Sequence, residues 1–391
     1  MKIAIFSDTF LPQINGTSSV VYQSAVELTK LGHKVSVFTT SAGHKNRSND
    51  RLISKEHGFK LIRIPSIPLI TYPGYRLALP LGVLTAKLRR FRPDIIHTHT
   101  LLAIGLGPIV PAKLSGTPIV GTDHTFYDHY LKHAKIDFSF VRKLTWRYTL
   151  GYYNRCKLVL CPSRSLADEL QKRGLKRPVQ VMPNTINTDL FCPITNDLAR
   201  KKFKNQFGIS GKSLVYMGRL SYEKSIDIVV KAMSEVVKKD PTTQLIIVGD
   251  GPEKNKLMRL VSRLKLKENV SFPGFKRGRE LVESLGANDI FFTASKTETF
   301  GISVLEAMAC GLPVVAANAR GVAEVVQDGV NGFLVEPDNH HEMAEKITEL
   351  LSNDKLREEY SKASRRIALK YSQKNMAKML EAIYEKLIRK K

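Results

Sequence analysis

Two glutamates flank a Phe-Gly step in the stretch KTETFGISVLEAMACGLPVV, Lys296 to Val315: Glu298 before it and Glu306 after it. An ionised carboxylate accepts hydrogen bonds from vicinal hydroxyls, so the two points suit one hexose and one ribose. Upstream, Arg219 and Lys224 stand just past an apolar run, where a helix is expected to start near Ser225. Guanidinium offers a planar fork of donors and ammonium a compact charge, and a helix N-terminus adds about 0.3–2 kcal/mol toward an anion. Carboxylates for sugar hydroxyls and cations for a diphosphate are the chemistry these four residues describe together. Taken singly, each has a plainer reading. Ser303 and Glu306 have the spacing of a capping box, Glu298 would favour the positive end of a helix, and Arg219 and Lys224 would be surface cations.

A second constellation, GTDHTFYDHYLKH, offers Asp123, His124, Asp128, His129 and His133. His129 and His133 are one helical turn apart, which makes a zinc site conceivable, but no ligand set of familiar spacing is complete. Surface or core histidines are the plainer reading. The chain contains no Asp-x-Asp pair, so the charge of a leaving group would fall to Arg219, Lys224 and helix N-termini, and no metal or other cofactor is expected.

Short apolar runs alternate with longer amphipathic segments, the pattern of a parallel α/β sheet. Strands are expected at Ile3–Phe6, Lys34–Thr39, Lys60–Ile64, Asp94–His97, Pro118–Thr122, Leu158–Cys161 and Gln180–Met182. After a polar stretch the pattern restarts at Leu214–Met217, Gln244–Val248, Val270–Phe272, Ile290–Thr293, Pro313–Ala316 and Gly332–Val335. Two doubly wound, Rossmann-like domains follow, residues 1–192 and 206–370, with a terminal amphipathic helix at 371–391 expected to pack back toward the first. Ligands of such sheets sit beyond the carboxyl ends of the strands. In the first domain that region holds Asn15-Gly16 ahead of a helix, where a glycine lets the backbone approach a phosphate and a tight turn explains the pair equally well.

The 391 residues carry 61 Lys plus Arg against 36 Asp plus Glu, a surplus of 25 positive charges. That surplus calls for anionic company or for a solvated basic face. Four cysteines without a CxxC pair point to a reducing compartment, the opening MKIAIFSDTF does not read as a signal peptide, and the longest apolar region, Leu101–Ala112, is too short to span a bilayer. A cytoplasmic protein with peripheral membrane contact is the expectation. The basic residues gather at Lys87, Arg89, Arg90, Arg92, Lys132, Lys135, Arg142, Lys143, Arg147, Arg155 and Lys157, near an apolar stripe (Leu77, Leu81, Leu84, Leu88) and among Trp146, Tyr148, Tyr152 and Tyr153. Basic residues interleaved with aromatics suit an anionic membrane, and also nucleic acid. A nucleic-acid groove would leave Glu298 and Glu306 without purpose, and no GxGxxG follows either opening strand to suggest a dinucleotide oxidoreductase.

The motifs RLSYEKSID, VGDGPEKNKL, VSFPGF, KTETFGISVLEAMACGLPVV and NGFLV, together with FSDTFLPQINGTSSVV, PDIIHTHT and VLCPSRSLADEL, resemble in order those of the retaining GT-B glycosyltransferases of glycosyltransferase family 4. The resemblance covers nearly the whole chain. It implies two Rossmann-like domains facing across a cleft, and a hexosyl transfer from a nucleotide sugar with retention of configuration, by front-face substitution or a covalent intermediate. Carried over, Gly16 lies beside the donor diphosphate, Arg219 and Lys224 bind it, and Glu298 holds hexose hydroxyls with backbone groups at Phe300 and Gly301 nearby. Glu306 binds the ribose, and Val270–Phe275 resembles the loop around the base. His124 matches the catalytic-cleft histidine and is followed by an aromatic and acidic run, as in lipid-glucosylating members. Many relatives carry Gly and Asp where this chain has Thr185 and Asn187. The expected reaction is transfer of glucose from UDP-glucose to a membrane lipid such as diacylglycerol, the first domain docking through Lys87, Arg89, Arg90, Arg142, Lys143 and Arg147. The runner-up is a soluble member acting on a saccharide.

Overall fold

The computed structural model describes all residues except 14, 42–46, 69–75, 79–80, 129–137, 195–196 and 390–391. Its contacts divide the chain into two units, Met1–Thr185 with Gln373–Lys391, and Ile186–Ser372.

The first unit holds strands β1 (Lys2–Ser7), β2 (Lys34–Thr40), β3 (Lys60–Ile64), β4 (Ser66–Pro68), β5 (Arg76–Ala78), β6 (Ile95–Thr98), β7 (Ile119–Thr122), β8 (Leu158–Cys161) and β9 (Val179–Val181). Seven form a parallel sheet in the order β3-β2-β1-β6-β7-β8-β9, and β4 pairs with β5 in a small antiparallel hairpin. The inner strands are apolar on both faces, as parallel strands covered by helices on both sides must be. Accordingly, one core cluster gathers Ala4, Phe6, Ile96 and Trp146, and another gathers Ile3, Ile5, Val37 and Leu160. The terminal helix Gln373–Arg389 belongs to this second cluster through Leu380, Ile383 and Tyr384, while Met379 stays 40% exposed.

The second unit repeats the plan with β10 (Ser213–Met217), β11 (Gln244–Val248), β12 (Val270–Gly274), β13 (Ile290–Thr293), β14 (Val314–Ala317) and β15 (Gly332–Val335), in the order β12-β11-β10-β13-β14-β15. It too is cored on both faces. In each sheet the winding reverses between two neighbours, β1 and β6 in the first and β10 and β13 in the second. The loops leaving those strands diverge there and open a crevice. All thirteen strands expected from the sequence are present within one or two residues. The hairpin β4–β5 is not among them, because three-residue strands give too short an alternation to read.

Candidate active site

In the second unit, β10 runs into Gly218-Arg219, a short 3₁₀ turn at Tyr222–Lys224, and the helix Ile226–Lys239. Ser225, between turn and helix, sits at φ +49°, a left-handed conformation that costs a non-glycine residue energy. Across the crevice, β13 runs into the loop carrying Glu298 and the helix Ile302–Ala309. Lys224 Nζ donates to Glu298 Oε1 at 2.6 Å, and the Thr297 hydroxyl donates to the Glu223 carbonyl at 3.3 Å. The two loops are therefore tied, with a cation and a carboxylate side by side and each about one-fifth exposed. Arg219 is exposed and makes no ion pair among the described residues.

Gly301 is the N-cap of the helix Ile302–Ala309, at φ +84°, and no side chain caps that end. Its first N–H groups thus face the crevice unsatisfied, as an anion would require. The capping-box reading of Ser303 and Glu306 does not hold, since Ser303 is already inside the helix. Phe300, 2% exposed, anchors the loop against the Tyr371 ring. Gly321 is also dictated by space: a Cβ there would lie 2.3 Å from the Thr299 carbonyl oxygen. The Glu306 side chain, in the second turn, has no hydrogen-bond or ion-pair partner among the described residues, and burial pushes its carboxyl up to about 8. A carboxyl held protonated near neutral pH both donates and accepts, which suits a diol.

In the first unit the corresponding crevice is closed. Asp8, fully buried after β1, accepts from the Thr100 hydroxyl at 2.5 Å and from the Ile104 N–H at 3.0 Å, while its own N–H donates to Thr100 Oγ1 at 2.8 Å. Burial raises its pKa. Gly16 opens the helix Gly16–Lys30 and is exposed. Asn15 caps that helix, its side chain accepting from Ser18 N–H at 2.8 Å while the Ser18 hydroxyl accepts from Asn15 N–H. Arg63, paired with Asp50 at 2.7 Å, donates to the Leu11 carbonyl and steadies the same loop.

At the carboxyl ends of β6 and β7 lies a row of three imidazoles. His97 is closed at both nitrogens, with Tyr384 Oη at 2.6 Å and Thr122 Oγ1 at 2.6 Å. His99 lies tilted against His97, ring centroids 4.1 Å apart, and stacks on His124, with its Nδ1 3.1 Å from His124 Nε2. Burial keeps all three neutral, His97 down to about 3, His124 to about 4 and His99 well below its ordinary value. Asp123 is buried beside them, accepting from the Tyr127 hydroxyl and the Thr125 N–H, and is pushed up to about 7 by burial. Asp128 is committed elsewhere, to Trp146 Nε1 at 2.7 Å and to Arg173 at 2.5 Å. His129, Lys132, His133 and Lys135 lie outside the described residues. Glu235, His340 and His341, on the second unit's helices, gather three potential metal ligands within 4.8 Å, a cluster with no sequence spacing to announce it. His99 was passed over in the sequence, although the alternation in HTHT puts it on the same side of the strand as His97.

Lys87, Arg89 and Arg90 are exposed on the helix Leu81–Phe91, but Leu84 and Leu88 of its apolar stripe are buried in the core. Of the aromatics among the cations, Trp146, Tyr152 and Tyr153 are core residues, and only Tyr148 reaches the surface. The helix Ser139–Tyr153 instead exposes Phe140, Leu144 and Tyr148, at helical spacing, beside exposed Lys143 and Arg147; Arg142 is half-buried. With Leu106, Ile109 and Val110 from the neighbouring helices, Leu144 and Tyr148 line a groove of about 570 Å³ edged by Arg147 and Arg155.

Residues 14–190 match the family description Glycosyltransferase Family 4, and residues 199–367 match Glycosyl transferases group 1. The alpha-monoglucosyldiacylglycerol synthase of Streptococcus pneumoniae is 31% identical over 90% of this chain and 78% of its own length. Its namesake from Acholeplasma laidlawii is 28% identical over 100% and 98%. Among solved structures, HepE of Anabaena in complex with UDP and glucose superposes with a TM-score of 0.78 at 22% identity, over 99% of this chain and 100% of that one. Sucrose-phosphate synthase from Thermosynechococcus elongatus does so with a TM-score of 0.80 at 20% identity, over 100% of both. Two switch points of like topology, a tied Lys224–Glu298 pair in one and these relatives across the length of the chain lead to one conclusion: the chain belongs to glycosyltransferase family 4 and is a hexosyltransferase of the GT-B fold.

Proposed function

We propose that the protein transfers glucose from UDP-glucose to a membrane lipid such as diacylglycerol, with retention of configuration. The observation that carries the donor half is the Lys224–Glu298 contact beside Arg219 at the β10–β13 crevice. A diphosphate arriving there meets Arg219, Lys224 and the uncapped start of the helix Ile302–Ala309, and Lys224 shifts its hydrogen bond from Glu298 to phosphate. Glu298 is thereby released to accept from hexose hydroxyls, and Glu306 takes the ribose. As the glycosidic bond to the diphosphate breaks, the developing charge falls on the two cations and the helix end, so no divalent ion is needed. By the family resemblance, His124, kept neutral by burial, is the histidine offered to the transferred sugar and Gly16 the glycine offered to the diphosphate.

The acceptor half is supported by the two relatives named as alpha-monoglucosyldiacylglycerol synthases and by the apolar, basic-edged face of Ser139–Tyr153. Among the described residues no helix is long and apolar enough to cross a membrane. The fit is peripheral: Phe140 and Leu144 enter the acyl boundary of the inner leaflet, and Lys87, Arg89, Arg90, Arg142, Lys143 and Arg147 lie over anionic headgroups, where each well-placed cation adds about 1 kcal/mol.

The test is a transfer assay with a panel of nucleotide sugars and vesicles of phosphatidylglycerol carrying diacylglycerol, with and without chelator. The expected product is an α-glucosyl lipid from UDP-glucose, formed equally with chelator present. A glycosylated soluble saccharide with no lipid product would transfer the assignment to the saccharide-acting branch. Activity lost on chelation and restored by Mn²⁺ or Mg²⁺ would overturn the account of leaving-group stabilisation.

A further inference from the structure

The first unit contains a small cavity, part apolar and part polar, that the donor chemistry does not use. It has a volume of about 30 Å³ and is lined by His99, His124, Gln23, Asn184, Thr185 and Gln373 among others. Three buried atoms of that lining have no hydrogen-bond partner among the described residues: His99 Nε2, Gln23 Oε1 and Thr185 Oγ1. His99 is 4% and Thr185 7% exposed. Leaving such atoms unpaired costs roughly 1–3 kcal/mol each, and a cavity of this size, walled by two to four polar groups, is what an ordered water occupies.

We propose that a single water bridges His99 Nε2, Gln23 Oε1 and Thr185 Oγ1, and that through it His99 acts as a positioning residue that fixes the tautomer of His124. The inference rests on the reading of His124 as the histidine that meets the transferred sugar. Counting protons selects one arrangement. Gln23 Oε1 can only accept, so it takes one water hydrogen. The Thr185 hydroxyl has no other acceptor among the described residues and donates to the water. The water's second hydrogen then goes to His99 Nε2, which leaves the His99 proton on Nδ1. At 3.1 Å from His124 Nε2, that N–H donates, and His124 Nε2 must accept. His124 therefore carries its proton on Nδ1. The reverse arrangement, with His99 protonated at Nε2, leaves one hydrogen, the water's or that of Thr185, with no acceptor among these three atoms and the water.

The consequence is chemical. With its lone pair already engaged, His124 cannot act as a base through Nε2, and it presents an N–H donor from the partly exposed edge of its ring. His124 serves this transfer as a hydrogen-bond donor to a sugar oxygen. The neutral state that burial imposes on both rings is the state the network requires.

Imidazole nitrogen NMR on the full chain labelled with ¹⁵N-histidine reads the tautomer directly, with the His124 signals assigned by their absence in His124→Gln. The expected result is His124 protonated at Nδ1 in the parent. That preference should be lost in His99→Phe and mixed in Thr185→Val, and retained in His99→Asn, whose side-chain amide stands where Nδ1 stood. Turnover should fall about 10–100-fold in His99→Phe, with the donor KM unchanged, and recover in His99→Asn. A parent His124 protonated at Nε2, or a tautomer indifferent to both His99→Phe and Thr185→Val, overturns the proposal. The expected tautomers with parental turnover in His99→Phe would leave the network standing and remove His124 from the reaction, a failure of the functional reading alone.

Discussion

The two sheets share a winding pattern and differ in what they place at the reversal. Between β1 and β6 the crevice is filled from within, Asp8 consuming the Thr100 hydroxyl and the Ile104 N–H, and the polar groups beyond it are neutral, buried imidazoles. Between β10 and β13 the crevice holds charge: Lys224 against Glu298, Arg219 exposed, and a helix start without a cap. Topology alone offers two equal binding places. The proposed function puts the phosphate at one of them, because an anion gains from ammonium, guanidinium and unsatisfied N–H groups and gains little from a neutral imidazole already bonded.

On this contrast, the largest loss comes from removing the charged crevice. Arg219→Ala together with Lys224→Ala should lower kcat/KM by about 100–1,000-fold, the scale for groups that stabilise transition-state charge. Glucosyl transfer at saturating lipid measures it, and parental rates in the double variant would dissolve the contrast. Next, Glu298→Gln should cost on the order of 100-fold in transfer while UDP binding holds or tightens, since Lys224 is then freed from its partner. Equal losses in transfer and in UDP affinity would place Glu298 at the nucleotide.

The smaller effect sits in the fold. The Glu306 carboxyl is raised to about 8, above its ordinary value of 4.5. The folded state therefore holds a proton that the unfolded state releases, and stability from this group falls as pH rises through that window. Glu306→Gln should raise the thermal midpoint at about pH 8.5 and do little at about pH 4. The three depressed histidines act in the opposite sense, their contribution being lost as pH falls below the ordinary imidazole value of 6.5. Calorimetry across this range separates the two signs, and a Glu306→Gln gain that is larger in acid would contradict the burial argument.

Much of this was legible in one dimension because it is local. The strands announce themselves as apolar runs, and the helix at Ile302 follows its loop directly, so Glu298 and Glu306 could be placed relative to strand and helix. The Lys224–Glu298 bond could not be read, as 74 residues separate its partners. Nor could the closure of His97 by Tyr384, which spans 287. The aromatic and basic segment 142–157 misled for a different reason. Interleaving in sequence says nothing of helical face, and the fold turns Trp146, Tyr152 and Tyr153 inward while Phe140, Leu144 and Tyr148 face out. The Thr185 hydroxyl was legible only as a departure from the family pattern, and its place with His99 on the wall of one cavity needed the fold to show it.

The central claim is that the second unit's crevice, and not the first's, takes the donor diphosphate. Calorimetric titration of UDP into the full chain tests it most directly. The account predicts that Arg219→Ala/Lys224→Ala weakens UDP binding by about 100-fold, on the scale of charge-assisted hydrogen bonds, while His124→Gln leaves it unchanged. UDP bound by the double variant as tightly as by the parent, with affinity lost in His124→Gln, would contradict it.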